Sequence, residues 1–163
     1  MGYRKIQNFV IFIAFFLVGC DDGMIALNSQ KALKFDFSPK DKNLKLQENV
    51  AFGLFFFTKN CGACIQQTRV LNEILKNENF KFIAVLGDAK DYDEAKKVAT
   101  KKDIKFPIIF NKDDTKFLSN SVGGILGVPA IYFYDKNGKF SKKFLGLTPK
   151  TTLQNQIKII KNL

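Results

Sequence analysis

Apolar and polar positions along the chain follow two different periods, and the switches between them mark the expected elements. Residues 50–57 read Val-Ala-Phe-Gly-Leu-Phe-Phe-Phe, almost without a polar interruption. Such a run fits a central strand covered on both faces. Residues 80–86 and 130–134 have the same character and predict two more buried strands. Residues 33–37 alternate instead, which predicts a short edge strand, with 43–46 as its partner. Residues 107–110 predict a short strand. Asp135-Lys136-Asn137-Gly138 predicts a hairpin turn, because Asn-Gly tolerates positive φ, with 139–145 as the returning strand. Helical spacing covers residues 61–76, where Leu71, Ile74 and Leu75 share one face and Glu73 and Lys76 point outward. It returns over 92–102, with Ala95, Val98 and Ala99 inward, and over 115–121 after a polar turn at 111–114. Thr148-Pro149 is expected to cap a last helix, with Pro at its first turn and an inner stripe of Leu153, Ile157 and Ile160. The order β-β-(β-α-β)-α-β-α-β-β-α predicts an α/β fold, a central mixed sheet with helices on both faces. The length of 163 residues suits one such domain, and no internal repeat is present.

The first twenty residues follow neither period. Residues 1–7 carry Arg4 and Lys5 and no acid, and residues 9–18 are unbroken apolar. As a helix that run is about 15 Å long, short of the roughly 20 residues a bilayer crossing needs. A basic start followed by a short apolar core describes a secretory signal. The run closes on Leu17-Val18-Gly19-Cys20, which resembles the bacterial lipobox. That resemblance implies cleavage before Cys20 and lipidation of its thiol. The expected organisation is a signal at 1–19, a lipidated tether at 20–32 and a folded domain at 33–163. An ordinary secretory signal with a chance cysteine, or an uncleaved anchor, are the alternatives.

Composition narrows the chemistry. The net charge is +11, carried largely by lysines spread along the chain, among them Lys40, Lys42, Lys45, Lys96, Lys97, Lys101 and Lys102. With no arginine-rich block, this reads as a solvated basic surface, compatible with anionic lipid headgroups, and no nucleic acid is expected as a partner. The chain has three cysteines and no histidine. Cys–His dyads, Ser–His triads and histidine metal sites are therefore excluded.

Cys61-Gly62-Ala63-Cys64 stands between a predicted buried strand and the start of a predicted helix. A cysteine at a helix N-terminus sits over unpaired backbone N–H groups, and the helix dipole favours its thiolate. The thiolate is the attacking species in disulfide exchange, and Cys64, one turn along, is placed to resolve the mixed disulfide. Lys59 adds positive potential just ahead. One pair without histidine gives zinc too few ligands. A purely structural disulfide remains an alternative, but closing so short a loop adds little stability. No metal and no cofactor are expected.

A second motif, Gly127-Val128-Pro129-Ala130, leads directly into the strand at 130–134. With the pair at Cys61 and Cys64, Pro107 ahead of a short strand, and Tyr132-Phe133-Tyr134-Asp135-Lys136-Asn137-Gly138-Lys139, the chain resembles the thioredoxin superfamily in its TlpA/ResA-like branch, which includes cytochrome c maturation thioredoxins. The resemblance implies a thioredoxin-like fold with extra N-terminal strands and an α/β insertion near residues 92–110. It implies that Pro129 is cis and packs on the redox pair, and that Val128 offers backbone groups to an extended substrate. It also implies protein thiol and disulfide substrates, apocytochrome c among them, and a membrane electron donor of the DsbD/CcdA kind. The chain departs from the family at Asn60, where a Trp is usual. It departs again at Phe55 and Gln67, where acids serve as proton acceptors for the second thiol. Deprotonation of Cys64 is then left to water, the substrate, Glu73 or Asp88. The expected function is a membrane-anchored thiol–disulfide oxidoreductase acting as a reductase of exported proteins. A periplasmic oxidase or isomerase and a non-catalytic binding lipoprotein are the alternatives, and a copper chaperone like the Sco proteins lacks its histidine.

Overall fold

A computed structural model describes residues 23–163. The expected signal at 1–19 and the lipidation site Cys20 lie outside these residues. The chain runs β1 (Ala26–Leu27), β2 (Phe35–Ser38), β3 (Asn43–Leu46), β4 (Phe52–Phe57), α1 (Gly62–Asn77), β5 (Lys81–Leu86) and α2 (Tyr92–Lys101). It continues through β6 (Ile108–Ile109), α3 (Lys112–Ser121), β7 (Ala130–Tyr134), β8 (Phe140–Leu145) and α4 (Lys150–Lys161).

One mixed sheet has the order β1-β6-β5-β4-β7-β8, and β2 and β3 form a separate antiparallel hairpin. β4 lies inside the sheet, parallel to β5 and antiparallel to β7. All six of its residues are buried, as an apolar run without alternation requires. Its side chains still alternate between faces. Phe55 and Phe57 join a cluster with Leu71 and Ile74 of α1, Val98 and Ala99 of α2, and Leu153, Ile157 and Ile160 of α4. Phe52, Leu54 and Phe56 join the opposite cluster, with Leu118 of α3 and Leu44 and Leu46 of β3. Gly53 interrupts the strand because a Cβ there would stand 2.9 Å from the Phe82 ring. The expected thioredoxin-like architecture is thus present, with the β2–β3 hairpin as the extra N-terminal strands and α2–β6 as the insertion.

Four expectations need correction. The segment read as tether contains β1, whose Ala26 and Leu27 are buried and pair with Ile109 and Ile108 of β6. Met24 also bridges to Leu33, so the folded domain begins well before residue 33. Two paired residues are too short to show a period, which hid the strand. Second, the polar stretch at 111–114 is the first turn of α3, capped by the Asn111 side chain accepting from the Asp113 N–H at 2.9 Å. Asn, Asp and Ser belong to caps as much as to turns. Third, Thr148 does not cap α4, whose N-cap is Pro149 and has no side-chain cap. Finally, Lys102, assigned to the solvated surface, is 2% exposed.

The hairpin turn predicted at 135–138 forms around Asp135, whose Oδ1 accepts from the N–H groups of Asn137 at 2.8 Å and Lys139 at 3.0 Å. Gly138 has φ +83° and lies directly against β3, where the Leu44 N–H donates to its carbonyl at 2.8 Å. A Cβ at 138 would meet backbone and Cβ atoms of Lys45 at 2.7–2.8 Å. Both the positive φ and the contact demand glycine. Gly138→Ala is expected to destabilise the protein by about 1–3 kcal/mol, read as a lower urea midpoint at unchanged slope.

Candidate active site

The carboxyl end of β4 and the amino end of α1 are separated by one tight turn, closed by the Cys61 N–H donating to the Thr58 carbonyl at 3.3 Å. Cys61 is the N-cap of α1. Its Sγ accepts from the Cys64 N–H at 3.1 Å, the role usually filled by a Ser or Asp oxygen. The two cysteines are joined by a disulfide with a Cα–Cα distance of 5.3 Å. They differ in environment: Cys61 is half-buried, whereas Cys64 is wholly buried within the cluster beneath α1. An incoming group therefore meets the sulfur of Cys61 first.

The charges around this turn differ from those expected. Lys59 does not lend free positive potential, because its Nζ lies 3.1 Å from Oε1 of Glu94. Glu94 also accepts from the Lys90 N–H at 2.8 Å, and these contacts hold its carboxyl below the ordinary glutamate value, the Lys90 bond first. The Lys59 N–H in turn donates to Oδ1 of Asp88 at 2.9 Å. Among the described residues, the cation in contact with the cysteine backbone is Lys102, whose Nζ donates to the Cys61 carbonyl at 2.8 Å. Burial pushes its ammonium below the usual lysine range, Lys101 adds to this, and Asp88 opposes it. The sequence did carry a signal for Lys102. It stands at i+7 from Ala95 on the stripe Ala95, Val98, Ala99, so helical phase directs it inward.

The two acid positions that the sequence lacks are occupied for packing. Phe55 stacks on Phe57 with ring centroids 5.4 Å apart. Gln67 is fully buried and makes a reciprocal clamp: its Oε1 accepts from the Thr148 N–H at 2.7 Å, and its Nε2 donates to the Thr148 carbonyl at 3.3 Å. The clamp ties α1 to the loop ahead of α4. Of the acids considered for Cys64, Glu73 pairs with Lys150 at the surface, nine residues along α1, and only Asp88 stands near the cysteine turn.

The second motif arrives at the same end of the sheet. The Val128–Pro129 bond is cis. Phe56 of β4 pairs with Ala130, so Pro129 lies one step further on, beside the strand end that leads to Cys61. The buried Pro129 gives its carbonyl to the Gly146 N–H at 2.8 Å. Among the described residues, neither the N–H nor the C=O of Val128 has a hydrogen-bond partner. Val128 packs against both hydrophobic clusters and lines a cavity of about 420 Å³ with Phe57, Thr58, Asp88 and Ile125.

A family model, Redoxin, matches residues 29–158. The chain belongs to the Redoxin family. None of the curated proteins matches it. Among solved structures, it is similar to a candidate thiol:disulfide interchange protein DsbE from Chlorobium tepidum, at 23% identity over 78% of this chain and 92% of that one, with TM-score 0.59. It is also similar to the thioredoxin domain of a thiol-disulfide oxidoreductase from Bacteroides vulgatus (22% identity, 85% and 99%, TM-score 0.58). A third is StoA from Bacillus subtilis (16%, 66% and 81%, TM-score 0.56). These likenesses concern the fold. With the family and the Cys61–Cys64 pair, this Redoxin protein is a thiol–disulfide oxidoreductase of thioredoxin-like fold.

If Gln67 serves packing and not proton transfer, Gln67→Leu strands the N–H and C=O of Thr148. The expected cost is about 1–3 kcal/mol of stability, measured by urea unfolding of the oxidised protein, with the reduction potential of the pair unchanged. A shifted potential at equal stability would give residue 67 a chemical role instead.

Proposed function

We propose that this protein is a reductase of disulfides in exported proteins, apocytochrome c among them, held at the extracytoplasmic face of a membrane by a lipid on Cys20. The observation that carries the reading is the asymmetry of the pair: one half-buried sulfur capping a helix, and one buried sulfur behind it. The free backbone of Val128 at the same sheet end supports an extended protein chain as the substrate. Val128 and Pro129 are the proposed substrate contacts.

In the reduced protein, the Cys61 thiolate attacks one sulfur of a substrate disulfide, and the other substrate sulfur leaves and takes a proton from water. Cys64 then loses its proton and attacks Sγ of Cys61. That breaks the mixed disulfide, releases the second substrate sulfur as a thiol, and leaves Cys61 joined to Cys64. The substrate has gained two electrons and the pair has lost two. A membrane dithiol donor of the DsbD/CcdA kind returns them. The start of β1 supports a membrane partner, because only residues 21–25 separate Cys20 from Ala26. Such a segment spans at most about 20 Å, which keeps the domain near the bilayer.

Insulin reduction with dithiothreitol is expected of the wild type and lost in Cys61→Ser. In cells, Cys64→Ser is expected to hold exported proteins as mixed disulfides, apocytochrome c among them, and globomycin or a Cys20→Ser change is expected to release the protein from membranes. Trapped proteins that carry only structural disulfides would move the reading to an oxidase or isomerase. An inert wild type with nothing trapped would sink the catalytic reading.

A further inference from the structure

We infer that Lys102 is a positioning residue of the redox centre, whose buried charge stabilises the Cys61 thiolate and thereby sets the reduction potential of the pair. The inference rests on Cys61 being the attacking sulfur. Its ground is geometric. Lys102 follows α2, is 2% exposed, and spends one of its three N–H donors on the Cys61 carbonyl at 2.8 Å. Among the described residues it makes no ion pair. The span of one residue, from its carbonyl oxygen to its Sγ, keeps Nζ within about 7 Å of the Cys61 sulfur.

A buried ammonium held by a neutral carbonyl is costly unless something repays it. In the oxidised state the pair carries no charge to do so. The other charged groups near the turn are largely committed. Lys59 and Glu94 neutralise each other, Asp88 accepts from the Lys59 N–H and attracts Lys102 only from beyond ion-pair distance, and Lys101 repels it. Reduction changes this. When a dithiol donor gives two electrons to the pair, the S–S bond breaks, the donor closes to a disulfide, Cys64 keeps a proton as thiol, and Cys61 remains as thiolate. The second proton goes to water. That thiolate supplies the negative charge Lys102 lacks. At about 7 Å and an effective dielectric near 20, such a pair lowers the thiol pKa by roughly one to two units. The same attraction favours the reduced form and makes the potential less negative.

Two variants separate charge from shape. Lys102→Met keeps most of the stem and removes both charge and donor, while Lys102→Gln keeps a donor and removes the charge. Because the charge is buried at a cost in the oxidised state, neither variant is expected to melt earlier than wild type when oxidised. The Cys61 pKa is read from the pH dependence of iodoacetamide alkylation in the reduced proteins, with mass spectrometry to locate the label. The potential is read by equilibration with glutathione. Both variants are expected to raise the Cys61 pKa by at least one unit. Each is expected to lower the glutathione equilibrium constant about tenfold, which is about 30 mV more negative. A Cys61 pKa equal in all three proteins overturns the inference. So does a shift in Lys102→Met with Lys102→Gln like wild type, since that makes Lys102 a hydrogen-bonding prop. Alkylation of wild type at Cys64 before Cys61 overturns it as well, by removing the attacking role of Cys61 itself. That outcome is distinguishable because it is seen before any lysine is changed.

Discussion

The first turn of an α-helix presents backbone N–H groups with no partner inside the helix, and in this protein a sulfur accepts one of them. Cys61 caps α1, and the Cys64 N–H points at its Sγ. The rest of the site is arranged around that contact. β4 must be rigid and central to deliver the cap to a fixed place, and its six buried residues between β5 and β7 ensure it. The body of α1 must not slide, and the Gln67 clamp to Thr148 and the packing of Leu71 and Ile74 hold it. The chemistry follows from the same contact, because a donor that satisfies a neutral sulfur binds a thiolate more strongly.

Around the cap, charge is distributed unevenly, and the unevenness has a direction. The half-buried cation, Lys59, is neutralised by Glu94, whereas the buried cation, Lys102, faces the cysteine backbone with no carboxylate of the described residues in contact. Solvent screens the first and hardly touches the second. The interior beneath Cys64 is apolar where proton acceptors are usual in the resembled family, with Phe55 stacked on Phe57 and Gln67 committed to Thr148. Such an interior disfavours a Cys64 thiolate. With the inferred charge of Lys102 on the other side, the reduced pair is expected to carry its charge on Cys61.

Period and punctuation carried most of this fold in the sequence. β4, β5 and β7 were legible as apolar runs, β2 and β3 as an alternating pair, and α1 and α2 as stripes, because elements that repeat their period show it. Elements with too few repeats were not legible. β1 has two residues and owes its existence to β6, a partner distant in sequence. The first turn of α3 looks like a turn in sequence because the residues that cap a helix also make turns. At the site, the cysteines and the Val128–Pro129 pair were visible as motifs, but the roles of Gln67 and Lys102 were not. An amide in place of an acid reads as a loss until its partner, eighty-one residues away, is seen. A lysine reads as surface unless the phase of its helix is followed to the end.

The topology also decides how the site is presented, on the proposed anchor at Cys20. β4, β5 and β6 are parallel, so their carboxyl ends share one edge of the sheet, and Cys61 follows the first of them. β1 is antiparallel to β6, so the chain enters β1 at that same edge. Three strand spacings, about 14 Å, separate β1 from β4 in the order β1-β6-β5-β4. A lipid on Cys20 thus tethers the sheet by the edge that bears the cysteines, not by the opposite one. A donor embedded in the bilayer then meets Cys61 without the domain having to turn over. A flexible tether of a dozen residues would have left that orientation free; β1 removes the freedom by pairing almost as soon as the anchor ends.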